Sequence, residues 1–145
     1  NDADTKTIGK ELLPVSSMKA RVASVRNLKT GETAGYGRQF VAEKQSRIAV
    51  ITIGYADGLP RCLSNGVGQV LVQGKKVPIV GRICMDQALV DISELEEDAV
   101  KTGDVVTLIG TDGNETLTAA DMAEAAGTIT NEILSRLGSR LERYI

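Results

Sequence analysis

Apolar residues in this chain come in strand-length runs separated by glycines and charges, and the period changes only near the end. Residues 15–28 alternate polar and apolar, with Val22 and Val25 among the apolar positions, and predict an early strand that stops at the turn Lys29-Thr30-Gly31-Glu32. Residues 47–53 are continuous and β-branched, the pattern of a buried strand. Val70-Leu71-Val72 and Val77-Pro78-Ile79-Val80 flank Gln73-Gly74-Lys75-Lys76, which predicts a hairpin with a tight glycine turn. Residues 88–92 and 105–109 predict two further strands. Between them the acidic run Glu94-Leu95-Glu96-Glu97-Asp98 reads as a solvated loop, followed by Lys101-Thr102-Gly103-Asp104.

Helical signals appear late. Thr118 with Asp121 three residues on forms a capping-box-like start, Met122, Ala125 and Ala126 supply an apolar face, and Gly127 is placed to stop the helix. Thr130 is read as the cap of a second short helix carrying Ile133, Leu134 and Leu137 and closed by Gly138. Closely spaced strands followed by two short helices predict a mainly β fold, a small Greek-key-like β-barrel with one or two short helices near the C-terminus. Residues 1–12 read as an interdomain linker remnant and residues 13–145 as the domain.

A chain of 145 residues with 42% hydrophobic content is one domain with enough apolar surface for a core. A formal net charge of −2 and 3% aromatic residues disfavour nucleic acid, which needs clustered cations and stacking platforms. No apolar stretch has the length of a membrane span, and the polar first ten residues lack the apolar region of a signal peptide. Two cysteines, Cys62 and Cys84, make a poor disulfide framework and fit a reducing, cytoplasmic setting. With no histidine, zinc sites and histidine-dependent nucleophile pairs are excluded within the chain, so acid-base chemistry falls to Tyr, Lys, Asp, Glu or Cys.

Three blocks stand out: Ala34-Gly35-Tyr36-Gly37, Gly54-Tyr55-Ala56-Asp57-Gly58, and Ile79-Val80-Gly81-Arg82-Ile83-Cys84-Met85-Asp86-Gln87. Taken locally, Tyr36 is an exposed tyrosine in a glycine turn, Tyr55 an aromatic capping one end of a barrel with Asp57 closing an Asx-type turn, Met85 a core methionine, and Arg61 and Arg82 surface ion-pairing residues. Together, in order and spacing, the blocks resemble the carboxy-terminal domain of the alanine racemase family over nearly the whole chain.

That resemblance implies a specific chemistry. Such enzymes remove the α-proton of an amino acid, with pyridoxal phosphate as the electron sink, and return it to either face. One base cannot serve both faces, and the resemblance makes Tyr36 the catalytic base for one of them, acting on substrate held by the partner subunit of a homodimer. A free phenol titrates near pH ~10, so a tyrosine base needs cationic or hydrogen-bonding neighbours. The backbone N–H of Met85 is implied in holding the substrate carboxylate, while Tyr55, Arg61, Arg82 and Asp86 belong to the substrate entrance. Ser139 stands where many alanine racemases carry a tyrosine. The related serine racemases of vancomycin resistance also lack it, so serine stands beside alanine as a substrate. The cofactor and its lysine are implied in an amino-terminal (β/α)8 barrel, a unit of about 250 residues that this chain does not contain. The expectation is therefore a domain inactive by itself, serving D-alanine supply for peptidoglycan precursors, in a parent that is cytoplasmic or membrane-anchored with this domain on the cytoplasmic side. The alternative is a non-catalytic β-barrel interaction module.

Overall fold

The computed structural model describes residues 16–144. The expected linker at residues 1–12 lies outside the described residues. Among the described residues nine strands and two helices follow one another: β1 (Met18–Leu28), β2 (Thr33–Ala34), β3 (Phe40–Val41), β4 (Ser46–Ile51), β5 (Gln69–Val72), β6 (Lys75–Val80), β7 (Ala88–Asp91), β8 (Val105–Asp112), β9 (Glu115–Leu117), α1 (Ala119–Ala126) and α2 (Thr130–Ser135). The mainly β fold with two late helices is as the sequence predicts.

The strands run β1-β4-β7-β6-β5-β8-β9, and β1 also pairs with β8, so six of them close into a ring. The long β1 makes this closure. Its first residues, Met18 to Arg21, pair with β8, and its remainder pairs with β4 from Val22↔Ile51 to Leu28↔Ser46. A register shift between Val22 and Ser24 lets one strand turn from one neighbour to the other, as bulges do in small barrels. Between β5 and β8 a single residue pair, Leu71↔Thr107, stands in register.

Strand β4 is buried on both faces, and this places the site. Ala49 and Ile51 point into the ring with Val22, Ile79 and Val90. Ile48 points outward into a second cluster with Leu28, Ala34, Ala42, Val80 and Leu89, against which Phe40 and Val50 pack. That outer cluster glues down a flap made of the two-stranded β2–β3 sheet, with Ala34 paired to Phe40. The continuous apolar run in the sequence reflects this two-sided burial.

Some elements differ in detail from the sequence reading. Lys75 and Lys76 lie in β6 rather than in the turn, which is confined to Gln73 and Gly74, both at positive φ (+51° and +73°). This is the primed turn whose twist matches a two-residue hairpin. Within the acidic loop Leu95 is buried, anchored where the Arg47 guanidinium donates to the Ile92, Leu95 and Glu96 carbonyls. In α1 the inward face is Ala119, Met122, Ala123 and Ala126, spaced for a helix, whereas Ala125 is exposed. Helix α2 is capped by Ile129 without a side-chain bond, so Thr130 is its first helical residue instead of its cap. It ends at Ser135, with Arg136 as C-cap, short of Gly138.

The Thr118 cap forms as expected. Thr118 Oγ1 accepts from the Asp121 N–H at 3.0 Å, and Asp121 Oδ2 accepts from the Thr118 N–H at 2.7 Å. The Thr118 N–H bond first, and then the Thr118 hydroxyl, which donates to the same Asp121 Oδ2 at 2.7 Å, hold the Asp121 carboxyl below its ordinary value of 3.8. Because the folded state prefers the ionised form, the stabilisation is fully present above the unfolded value and is lost as pH falls through the folded one. Thr118→Ala should cost about 1 kcal/mol in urea melts. Asp121→Asn should lower stability at neutral pH, with the deficit shrinking as pH drops below 3.8; a deficit constant across that range would rule out an ionic contribution.

Candidate functional site

Two connections leave the same end of the ring. Ile51 pairs with Ala88 and Val80 with Leu89, so the chain after β4 and the loop of residues 81–87 between β6 and β7 emerge side by side. The first connection opens with a 3-10 turn, Tyr55–Asp57, and continues to a second, Arg61–Leu63.

The two connections lie backbone to backbone. The Tyr55 N–H donates to the Cys84 carbonyl and the Ala56 N–H to the Met85 carbonyl, both at 3.0 Å. Gly54 makes this approach possible: a Cβ there would fall 2.2 Å from the Cys84 oxygen and 2.3 Å from the Met85 oxygen. Its φ of −146° is open to any residue, so the demand for glycine is one of space alone. Tyr55 and Met85 are both left with exposed side chains (44% and 52%), and the Met85 N–H has no acceptor among the described residues. Met85 is therefore a surface residue here, contrary to the core role its residue type alone would give it.

The flap brings Tyr36 to the other side of the same loop. Tyr36 opens a 3-10 turn, Tyr36–Arg38, flanked by Gly35 and Gly37 at φ of +81° and +69°. Its ring is 70% exposed. A Cβ on Gly81 would sit 3.5 Å from the Phe40 Cβ, so the flap rests on the start of residues 81–87. A Cβ on Gly37 would lie 3.9 Å from Arg82 Nη1, which puts a guanidinium beside the tyrosine turn. One loop thus touches the Tyr36 turn at its first residues and the Tyr55 turn at Cys84 and Met85. The two arginines assigned to the entrance part company: Arg82 goes with Tyr36, whereas Arg61 lines a surface groove with Tyr55, Leu59, Pro60 and Arg136.

The carboxy-terminal segment closes over this arrangement. The Gly138 N–H donates to the Asp57 carbonyl at 3.2 Å, and a Cβ on Gly58 would be 2.6 Å from the Arg136 oxygen. Ser139 is exposed within this segment. Next to it, Arg140 reaches Asp57 Oδ1 with Nε at 3.3 Å and Asp86 Oδ1 with Nη2 at 2.5 Å. The Asp86 hydrogen bond, then the charges of Asp57 and Asp86, raise the Arg140 pKa above its ordinary value. Asp57 is buried, and its other oxygen accepts from the Gly54 N–H at 2.9 Å. In place of the expected Asx-type turn, the Asp57 carboxylate reaches back to the Gly54 N–H as the capping box of the 3-10 turn; sequence reasoning also missed Arg140, because no spacing rule links positions 57, 86 and 140.

The profile of the family described as "Alanine racemase, C-terminal domain" matches residues 15–145. The chain belongs to that family. An amino-acid racemase of Enterococcus faecalis is 49% identical over 138 residues, covering 95% of this chain and 19% of the relative. The alanine racemase of Cutibacterium acnes is 48% identical over 134 residues, covering 92% and 35%. The crystal structure of alanine racemase from Bartonella henselae with covalently bound pyridoxal phosphate superposes with a TM-score of 0.81 at 39% identity, covering 88% of this chain and 34% of that one. The chain spans about a fifth to a third of the length of these relatives.

Within this alanine racemase C-terminal domain, the described residues do not by themselves fit the cofactor carried by that structure. Lys19, Lys29, Lys44, Lys75, Lys76 and Lys101 are all exposed, and none belongs to the Tyr36 turn, residues 54–61 or residues 81–87. What the domain offers instead is a rim of phenols, guanidiniums and a free N–H.

If Gly54 holds the two connections at main-chain distance, Gly54→Ala should force them apart. The expected loss is about 1–3 kcal/mol, as for overpacking in a well-filled site, read by urea denaturation. Unchanged stability would mean that the approach relaxes without cost.

Proposed function

We propose that this domain supplies one proton-transfer base and part of the substrate cradle of a pyridoxal-phosphate-dependent amino-acid racemase that interconverts L- and D-alanine. The observation that carries the reading is the meeting of the Tyr36 and Tyr55 turns on the single loop of residues 81–87, in a chain of this family. Bound in the barrel domain outside this chain, the cofactor would supply an electron sink that acidifies the α-carbon.

Each residue here then has a limited task. In one direction Tyr36 Oη takes the α-proton from one face while an acid outside this chain delivers a proton to the opposite face; in the reverse direction Tyr36 Oη delivers the proton and the group outside this chain removes it. The Arg82 guanidinium stands beside the Tyr36 turn, on the side from which the loop of residues 81–87 approaches it. The Met85 N–H donates to the substrate carboxylate, aligning the Cα–H bond with the base. The groove formed by Tyr55, Arg61 and Arg136 presents the Arg61 guanidinium to an anionic amino acid at the entrance, Arg136 being paired with Glu132. Tyr36 and Tyr55 stand on the exposed rim of the domain, which supports a site shared with a second subunit in a cytoplasmic homodimer. In such a dimer the domain would be inactive alone and would serve D-alanine supply for peptidoglycan. Ser139 in place of a bulkier residue, and the broader name of the Enterococcus faecalis relative, support serine as a second substrate.

In the full-length protein, Tyr36→Phe should keep the fold and cofactor absorbance but slow racemisation by about 10²- to 10⁴-fold, the usual range for a lost general base. Exchange of the α-proton with solvent deuterium should be lost for one enantiomer and kept for the other. A variant that racemises at the wild-type rate would remove Tyr36 from the mechanism.

Ser139→Tyr should fill space that a hydroxymethyl side chain needs. Serine turnover should fall relative to alanine by about 1–3 kcal/mol in kcat/KM, the discrimination a pocket achieves for small differences in size. Equal losses for both amino acids would place Ser139 outside the pocket.

A further inference from the structure

Arg140 takes no part in the chemistry proposed above, yet its guanidinium is the only cation among the described residues in ion-pair contact with the Tyr55 turn or with residues 81–87. Its Nε faces Asp57 on the first and its Nη2 faces Asp86 on the second. We propose that Arg140 is a positioning residue: its planar fork locks the Tyr55 turn to the loop carrying Met85, and so fixes the Met85 N–H for a carboxylate.

Three features support this. Asp57 is 8% exposed in its side chain, so without Arg140 a buried carboxylate would keep only the Gly54 N–H as partner. Two carboxylates on different loops need two donors at a fixed angle, which a guanidinium has and an ammonium lacks. The segment carrying Arg140 is independently held at this place by the Gly138 N–H bond to Asp57 and by the Arg136 carbonyl over Gly58. The flap holding Tyr36 makes no ion pair with Arg140, so loss of the fork should disturb substrate binding more than proton transfer.

The inference rests on the proposed racemase reading for its kinetic test, and a second readout is independent of it. In the full-length protein, Arg140→Gln should raise KM for alanine by about tenfold while kcat changes by less than about threefold. Arg140→Lys keeps the charge without the fork and should behave like Arg140→Gln. Asp86→Asn, at an exposed carboxylate whose loss does not endanger folding, should show the same effect in smaller measure, and its combination with Arg140→Gln should be less than additive. By hydrogen exchange, amides in residues 54–58 and 84–87 should exchange about tenfold faster in Arg140→Gln, with β1 and β4 unchanged. Full KM rescue by Lys, or a fall in kcat at constant KM, would overturn the proposal, as would unchanged exchange in both segments. If the wild-type protein racemises no amino acid, the functional reading fails, and the exchange pattern alone still supports the lock if protection is lost there and overturns it if protection is kept.

Discussion

Burial of both faces of β4 is the constraint from which the rest of the arrangement follows. A ring of six strands needs only one apolar face per strand, and in β4 Ala49 and Ile51 provide it. Ile48 and Val50 add a second on the outside, and an apolar face turned to water must be covered. The cover is the β2–β3 flap, and the flap carries Tyr36. A packing requirement of the scaffold therefore delivers an exposed phenol to a defined place. Were the outer face polar, the Tyr36 turn would hang from β1 and β4 with nothing to orient it.

Much of this was legible in the chain. The β-branched run of β4, the glycine hairpin between β5 and β6, and the Thr118–Asp121 cap are local signals, each read through residues a few positions apart. The fold class followed from their order. What escaped in the elements was backbone conformation. Thr130 looks like a cap because threonine often is one, but Ile129 holds the extended cap position that turns the chain into α2. Lys75 and Lys76 look like turn residues because they are charged, yet two residues suffice when both take positive φ.

The candidate site divides in the same way. Tyr36 and Tyr55 could be singled out because glycines flank or adjoin them in sequence, and Met85 with them because the three blocks resemble one family. Their meeting on residues 81–87 could not be read, since it depends on which strands are neighbours in the ring. Arg140 was invisible for a related reason: arginine near a chain's end is common, and only the folded chain reveals two carboxylates from distant loops facing it.

The contact at Gly54 separates spacing from identity. Since main-chain atoms, the Tyr55 and Ala56 N–H groups and the Cys84 and Met85 carbonyls, set the closest approach of the two loops, the side chains at 55 and 85 do not determine it. They project outward and are free to be exchanged without moving the frame beneath them. A lineage, or a designer, can therefore resculpt what the rim admits by altering those two side chains, while at this contact the position that tolerates no addition is a residue with no side chain at all.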